Sequence, residues 1–233
     1  GVETDKLLTN STINRFLAVL SAVFSFAVDH GVIDTHPMKG GRVKKLTENL
    51  GRQRVLTDDE AARLLTAAEA SEWPMLRLFL RVLMTTGARR SEVNGLRWSD
   101  LRLEDKVAIL PRTKNGEPRA LPLVADVRAE LAAAYERRPE ESDFIFYDPR
   151  NPKRAKTVDA AWLACRKAAG LDGEGVVLHS LRHTAVTKLV KSGANLSQVA
   201  RVSGHKTLAM LKRYEHLAVQ DAVELAEKHL AGY

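Results

Sequence analysis

The chain carries a single cysteine, Cys165, in 233 residues. One thiol excludes an internal disulfide, cannot by itself anchor a thiolate zinc site, and points to a reducing compartment without redox chemistry. A run of apolar residues long enough to cross a bilayer is also lacking, which favours a soluble, cytoplasmic protein with no membrane partner. No apolar signal sequence opens the chain, and Gly1 stands where a methionine would start it, indicating a processed or truncated product with residues missing upstream. Internal repeats and low-complexity segments are absent. What is there, 45% hydrophobic and 28% charged residues, is ordinary globular composition sufficient for one domain or one domain plus part of another.

Charge of one sign is in excess. The net charge of +7 points to a polyanionic partner, since each Lys or Arg set against a phosphate releases condensed counterions. The distribution sharpens this: Lys39, Arg42, Lys44, Lys45, Arg52 and Arg54 face one acid, Glu48, in a segment from Pro37 to Arg54 that has three glycines and no periodicity. That texture is a basic interdomain linker. Before it, Ile13, Phe16, Leu17, Leu20, Val23, Phe24, Ala27 and Val28 recur at helical spacing, so residues 10–30 form an amphipathic helix closed by Gly31 that needs a partner surface. The boundaries expected are 1–38, a linker over 39–55, and a second domain over 56–233.

The second domain reads as mainly α with a small antiparallel sheet. Thr57 and Glu60 form a capping-box signature ahead of a helix carrying Leu64 and Leu65, and a further helix from about Pro74 to Met84 is stopped by Gly87. Apolar runs Val107 to Leu110 and Ala120 to Leu123 flank Asn115-Gly116, a tight hairpin turn. Helical patterns follow at about 125–137, 157–169, 179–192, 196–202, 206–216 and 219–230.

Two arginines stand out by context. In Thr86-Gly87-Ala88-Arg89-Arg90-Ser91-Glu92, a glycine ends one helix and another begins, so Arg89 can face a cleft. In His179-Ser180-Leu181-Arg182-His183, His179 and Arg182 share a helix face and can reach one ligand. A planar guanidinium can donate two hydrogen bonds to one phosphate and stays charged, which suits cleavage of a phosphodiester without a metal. His179 and His183 as a metal pair lack the adjacent glutamate of a metalloprotease motif and any obvious third ligand. Taken alone, Tyr214 reads as a packing residue, Lys114 as a surface lysine and His205 as a helix-start residue.

Together, His179, Arg182, His205 and Tyr214, at spacings of 3, 23 and 9 residues, resemble the tyrosine recombinase (phage integrase) family. The upstream Thr86-Gly87-Ala88-Arg89 with Glu92 and Leu96 resembles that family's first box. Leu178 to Thr184, Ser203-Gly204-His205 and Arg213-Tyr214 resemble its second. Thr113-Lys114 is similar to its hairpin lysine, with Arg119 to Leu123 resembling the basic residue and Pro-Leu ending that follow. The likeness covers roughly residues 55–230, and residues 11–45 resemble the last helices of the family's core-binding domain.

This resemblance implies the family's DNA breaking-rejoining catalytic fold, preceded by part of a helical core-binding domain, and site-specific recombination through a 3′-phosphotyrosyl bond. Arg89 and Arg182 would clamp the scissile phosphate, with a further hydrogen bond from His205. Tyr214 would be the nucleophile, Lys114 would protonate the leaving 5′-oxygen, and His179 would assist proton transfer at the tyrosine. Glu92 would buttress the site, and His183 would be a satisfied structural residue of the core. Arg42, Lys44, Lys45, Arg52, Arg54 and Arg90 would contact the DNA backbone. No cofactor or metal is implied, since the phosphotyrosine conserves the bond energy. The partners implied are double-stranded recombination sites, three further copies of the chain in a tetramer, and accessory DNA-bending or directionality proteins; the location implied is the cytoplasm, on the nucleoid when bound. The 219–230 helix docks either on a neighbouring protomer or on its own domain. A type IB topoisomerase-like monomer and a catalytically silent DNA-binding regulator are the competing functions.

Overall fold

The computed structural model describes residues 8–48, 54–110, 118–205 and 207–214. The chain divides into two compact units, Gly1–Arg52 and Gln53–Tyr233.

In the first unit, helix α1 (Asn10–Asp29) starts at Thr9, whose side chain accepts a hydrogen bond from the Thr12 amide. The buried Asn14 holds part of the basic segment against this helix. Its Nδ2 donates to Leu46 O and Glu48 Oε1, both at 2.8 Å, and its Oδ1 accepts from the Leu46 amide at 2.9 Å. Asn10 Nδ2 adds a bond to Thr47 O. Residues 46–48 therefore lie along the first turns of α1 rather than forming a free tether. Phe16, Val19, Leu20, Val23 and Phe26 are exposed within the unit.

The absence of a bilayer-length apolar stretch requires correction. By length and composition α1, 20 residues with a hydropathy of 1.5, could cross a membrane. Asn14, Arg15, Ser21 and Ser25 break the run, but their neighbours outweigh them on average. A helix packed on another protein surface passes the same test, so this carries no membrane assignment.

The second unit is built around α3 (Leu76–Thr86), which buries Leu76, Leu78, Phe79, Leu80, Val82 and Leu83. Its partly exposed polar residues are confined to one narrow stripe, Arg77, Arg81 and Thr85, so most of its circumference is buried and it becomes the central helix. Helix α2 (Asp58–Glu69), opened by the Thr57–Glu60 capping box, packs on it, as do α5 (Ala125–Glu136) and α7 (Leu178–Lys191). Gly87, left-handed at φ 60°, ends α3 and turns the chain into the short α4 (Arg90–Asn94). Strands β1 (Leu101–Arg102), β2 (Val107–Leu110) and β3 (Arg119–Pro122) form an antiparallel sheet in that order.

A second hairpin, β4 (Tyr147–Asp148) and β5 (Asn151–Ala155), was not expected, because Asn-Pro-Lys-Arg-Ala has no apolar alternation to signal a strand. Asp148 holds it instead, accepting from the Arg150 amide at 3.1 Å and Arg154 Nη2 at 3.0 Å, with Lys156 Nζ at 3.5 Å. Helices α6 (Asp159–Ala168) and α8 (Leu196–Ser203) complete the unit.

Where an α-helix was expected over 206–216, residues Leu208–Tyr214 form a 3₁₀-helix. Its three-residue period stacks Leu211 over Tyr214, and both are buried with Val186, Val190 and Val199. The expected helix at 219–230 and the Asn115-Gly116 turn lie outside the described residues.

Candidate active site

Arg182 is 4% exposed and projects from α7 into the junction where α3 ends and α8 ends. Its Nη1 donates to Gly87 O at 2.5 Å and Ser203 O at 2.6 Å, and Nη2 lies 3.1 Å from His205 Nε2. Helix α7 can carry a charge here because Leu181, Ala185 and Val186 around it are buried and fix its rotation. The Ser203 hydroxyl reaches both Val199 O, at 2.6 Å, and His205 Nδ1, at 2.7 Å. Its one proton satisfies the carbonyl, so its lone pair suits a proton on Nδ1 of His205.

Arg89 stands at the start of α4. Its amide donates to Glu92 Oε2 at 2.9 Å and its Nη1 to Glu92 Oε1 at 2.7 Å. The other face of Glu92 meets Arg119, brought from β3, at 3.5 Å. Arg119 also donates to Ser203 O at 3.0 Å and Val202 O at 3.1 Å. This places a third arginine in the cluster, beyond the expected pair; the signal for it was the basic residue at the start of the second hairpin strand.

Three guanidiniums, of Arg89, Arg119 and Arg182, thus surround one carboxylate, Glu92, whose side chain is 6% exposed. The electrostatics record the imbalance. Burial pushes the Arg182 guanidinium down to about 10, the Arg89 charge adds to this, and Glu92 opposes it. Burial likewise lowers Arg119, against the pull of Glu92. Arg182 remains charged at neutral pH, so the cluster holds an excess of buried positive charge. Such an excess is costly unless an anion completes it.

Tyr214 is 3% exposed and lies within electrostatic reach of Arg182. Its hydroxyl meets His183 Nδ1 at 2.5 Å. His183 is hydrogen-bonded, as expected, but half-buried rather than in the core, and its partner is the tyrosine. His179 is exposed and packs edge-on against it, ring centroids 4.6 Å apart at 85°. The spacing of four between the two histidines is the signal in the sequence for this ring contact.

Other expected residues divide. Arg90 grips Asp159 at the start of α6 through two bonds of 2.7 and 2.6 Å. Arg54 pairs with Glu60 and, at 3.4 Å, with Glu174. Both guanidiniums expected on DNA thus already hold carboxylates. Arg42, Lys44 and Lys45 are exposed. Lys114 and Arg52 lie outside the described residues. Among the described residues no group of three or more His, Cys, Asp or Glu is placed to hold a metal ion.

Residues 54–221 match the phage integrase family. The chain belongs to that family. Among its integrase-family relatives, the shufflon-specific DNA recombinase of Escherichia coli is 32% identical over 216 residues, which cover 92% of this chain and 53% of that protein. Tyrosine recombinase XerA of Thermococcus kodakarensis is 24% identical over 221 residues, 94% of this chain and 76% of XerA. The chain therefore spans about half the length of the first of these relatives. Among solved structures, the Tn1549 transposon integrase in complex with transposon right end DNA aligns with a TM-score of 0.75 at 21% identity, over 97% of this chain and 81% of that one. A lambda integrase dimer bound to a COC′ core site aligns with a TM-score of 0.67 at 25% identity, over 89% and 79%. The second unit has the tyrosine recombinase catalytic fold, mainly helical with small antiparallel sheets.

Proposed function

We propose that this chain is the DNA-cleaving part of a site-specific tyrosine recombinase, which breaks and rejoins strands through a 3′-phosphotyrosyl bond at Tyr214. The observation that carries this reading is the buried cationic excess at Arg182, within reach of His205 and of the Tyr214 hydroxyl. A scissile phosphate supplies the missing anion. Arg182 and Arg89 bind its non-bridging oxygens, and the charge that develops there in the pentacoordinate state strengthens those bonds more than the ground state does. Glu92 and Arg119 keep Arg89 and the α8 terminus in register. Tyr214 attacks phosphorus, the 5′-oxygen departs with a proton from Lys114, and the phosphodiester energy is kept in the new ester, so rejoining is the reverse step. No cofactor enters this scheme.

The partner in this reading is double-stranded DNA at recombination sites, a reading supported by relatives named as recombinases and by neighbours solved with DNA. Those names favour recombination over topoisomerase or silent-regulator functions. Residues 1–38 would end a core-binding domain, 39–55 would link it, and 56–233 would cleave. Arg42, Lys44 and Lys45 would track the backbone, as would Arg52; Arg54 and Arg90 would have to exchange carboxylates for phosphates. Four copies would assemble on two sites, with accessory DNA-bending or directionality proteins setting the outcome, inside the cell where the DNA lies.

The test uses nicked suicide duplexes randomised around the nick, so that no target sequence need be assumed. The protein is expected to form a denaturant-resistant adduct in the presence of a metal chelator, mapped to Tyr214 and lost in Tyr214→Phe with DNA binding retained. Attachment at another residue overturns the reading.

A further inference from the structure

Ser203 joins the end of α8 to the cationic cleft through a proton that has only one place to lie. Its Oγ is 2.6 Å from Val199 O and 2.7 Å from His205 Nδ1. A carbonyl oxygen carries no proton, so the first contact is a bond only with the serine as donor, and that uses its single proton. The second contact is then a bond only if Nδ1 carries a proton and donates it to the Oγ lone pair. Ser203 is buried, so bulk water does not compete for either bond. This decides what the other ring nitrogen can do. A neutral imidazole has one proton; with that proton on Nδ1, Nε2 carries a lone pair, and a phosphate oxygen also offers only lone pairs. Nε2 can therefore bond a phosphate only after taking up a second proton. Before a phosphate enters, that proton is opposed by Arg182, whose Nη2 lies 3.1 Å from Nε2 and 3.3 Å from Nδ1, and by Arg119 and Arg89 grouped around Arg182. Among the described residues, Glu92 is the carboxylate set between these arginines. Tyr214, with His183 on its hydroxyl, closes the side toward the 3₁₀-helix. An entering phosphate supplies negative charge and an acceptor together, which reverses the balance against the second proton.

We infer that Ser203 is a positioning residue that couples phosphate binding to proton uptake: it holds one proton of His205 on Nδ1, so the ring becomes an imidazolium as the phosphate enters and donates Nε2–H to it. This rests on the reading of the cleft as the place of the scissile phosphate. Both protons of the imidazolium are then engaged, Nδ1–H on Ser203 and Nε2–H on a non-bridging oxygen. The proton comes from solvent on binding and returns to it when the phosphate leaves, and no bond of the nucleic acid changes in this step. The added positive charge stands where negative charge develops in the pentacoordinate state.

The experiment measures, for the parent, Ser203→Ala and His205→Gln, the rise in melting temperature that sulfate produces, converted to an affinity at each pH. Sulfate carries the same oxygen acceptors as a phosphate and does not itself titrate near neutral pH. Glutamine offers an amide N–H near the place of Nε2 and does not titrate either. Alanine removes the acceptor for Nδ1–H, so the neutral ring can carry its proton on Nε2 and donate without uptake. The parent's sulfate affinity is expected to fall as pH rises from about 7 to about 8, approaching tenfold per unit, the limit for one coupled proton. His205→Gln is expected to lose most of that dependence and Ser203→Ala at least half of it. The alanine variant, weaker than the parent in acid, should then match or exceed it at about pH 8. His183 titrates in all three proteins and cancels in the comparison. A serine with a merely structural role would weaken binding alike at every pH, so parallel profiles of the parent and Ser203→Ala overturn the role of Ser203. A parent whose profile matches that of His205→Gln overturns proton uptake at His205, and this arm stands even where Ser203→Ala fails to fold. A parent that sulfate does not stabilise at any pH overturns both, because the centre then takes no anion. A parent that shows the coupling yet forms no adduct on the nicked duplexes overturns the cleavage reading instead, so the two failures are distinguishable.

Discussion

Gly204 and Arg119 share a space that only a glycine leaves open: a Cβ at position 204 would lie 1.6 Å from Arg119 Nη1. The same glycine is left-handed, at φ 71°, where it ends α8 and aims His205 at Arg182. Two requirements therefore converge on one residue. Gly204→Ala is expected to destabilise the second unit by about 1–3 kcal/mol from its backbone alone, with a further cost as Arg119 is displaced. Adduct formation is expected to drop more than stability does, because the displaced guanidinium holds both Glu92 and the end of α8. A parental melting temperature together with a parental adduct rate would show that Arg119 has room elsewhere.

Arg119 itself is expected to matter as a fork rather than a charge. It bridges Glu92 with the carbonyls of Val202 and Ser203, so it ties β3, α4 and α8 to one another. Arg119→Met takes a donor from three acceptors; Ser203 O keeps Arg182 and Glu92 Oε2 keeps the Arg89 amide, so the loss falls chiefly on Val202 O and is expected to cost about 1–3 kcal/mol in urea unfolding. Arg119→Lys can satisfy only some of them and should recover stability in part while adduct formation stays depressed. Equal stability of the parent and Arg119→Met would mean that water replaces the fork without loss.

Arg182→Lys separates geometry from charge at the cleft. The guanidinium reaches Gly87 O, Ser203 O and His205 at once, which an ammonium cannot. A lysine at 4% exposure would also shed its proton more readily than Arg182, already pushed down to about 10 by burial. The expected result is loss of the adduct with DNA binding largely retained. Inorganic phosphate, which should raise the parent's melting temperature by occupying the cationic centre, is expected to do so much less in this variant. A parental adduct rate in Arg182→Lys would remove this residue from the clamp.

The motif residues were legible because their chemistry is local. Arg89 follows a helix-ending glycine, and His179 and Arg182 share a face by helical spacing alone. The remainder depends on partners distant in sequence. Arg119 is anonymous until β3 lies against the end of α8. His183 could not be joined to Tyr214 by spacing, since 31 residues separate them and the packing of Leu211 and Tyr214 with Val186, Val190 and Val199 brings them together. Arg90 looked available for DNA until Asp159 was brought beside it. The β4–β5 hairpin was invisible because charge, not alternating apolar residues, holds it.

That hairpin gives a pH dependence with a definite sign. Asp148 is held below the usual carboxylate range first by the Arg150 amide, then by Arg154 and Lys156, with burial opposing them. A carboxyl whose folded pKa is depressed contributes stability that is complete above its unfolded value of about 3.9 and lost as pH falls through the folded one. The hairpin is therefore expected to stay intact from neutral pH down to about 4 and to loosen below it. Amide exchange at Arg150 and Lys156, read from pH 7 downward after correction for intrinsic rates, follows this directly, because the Arg150 amide bonds Asp148 and the Lys156 amide bonds Phe146 O beside the hairpin. Asp148→Asn should be loosened already at neutral pH and lose the acid transition, since a neutral amide keeps the shape but not the attraction for Arg154 and Lys156. If the parent and Asp148→Asn share one exchange profile across this range, the hairpin is held by its backbone pairing, and the ion pairs contribute nothing to it.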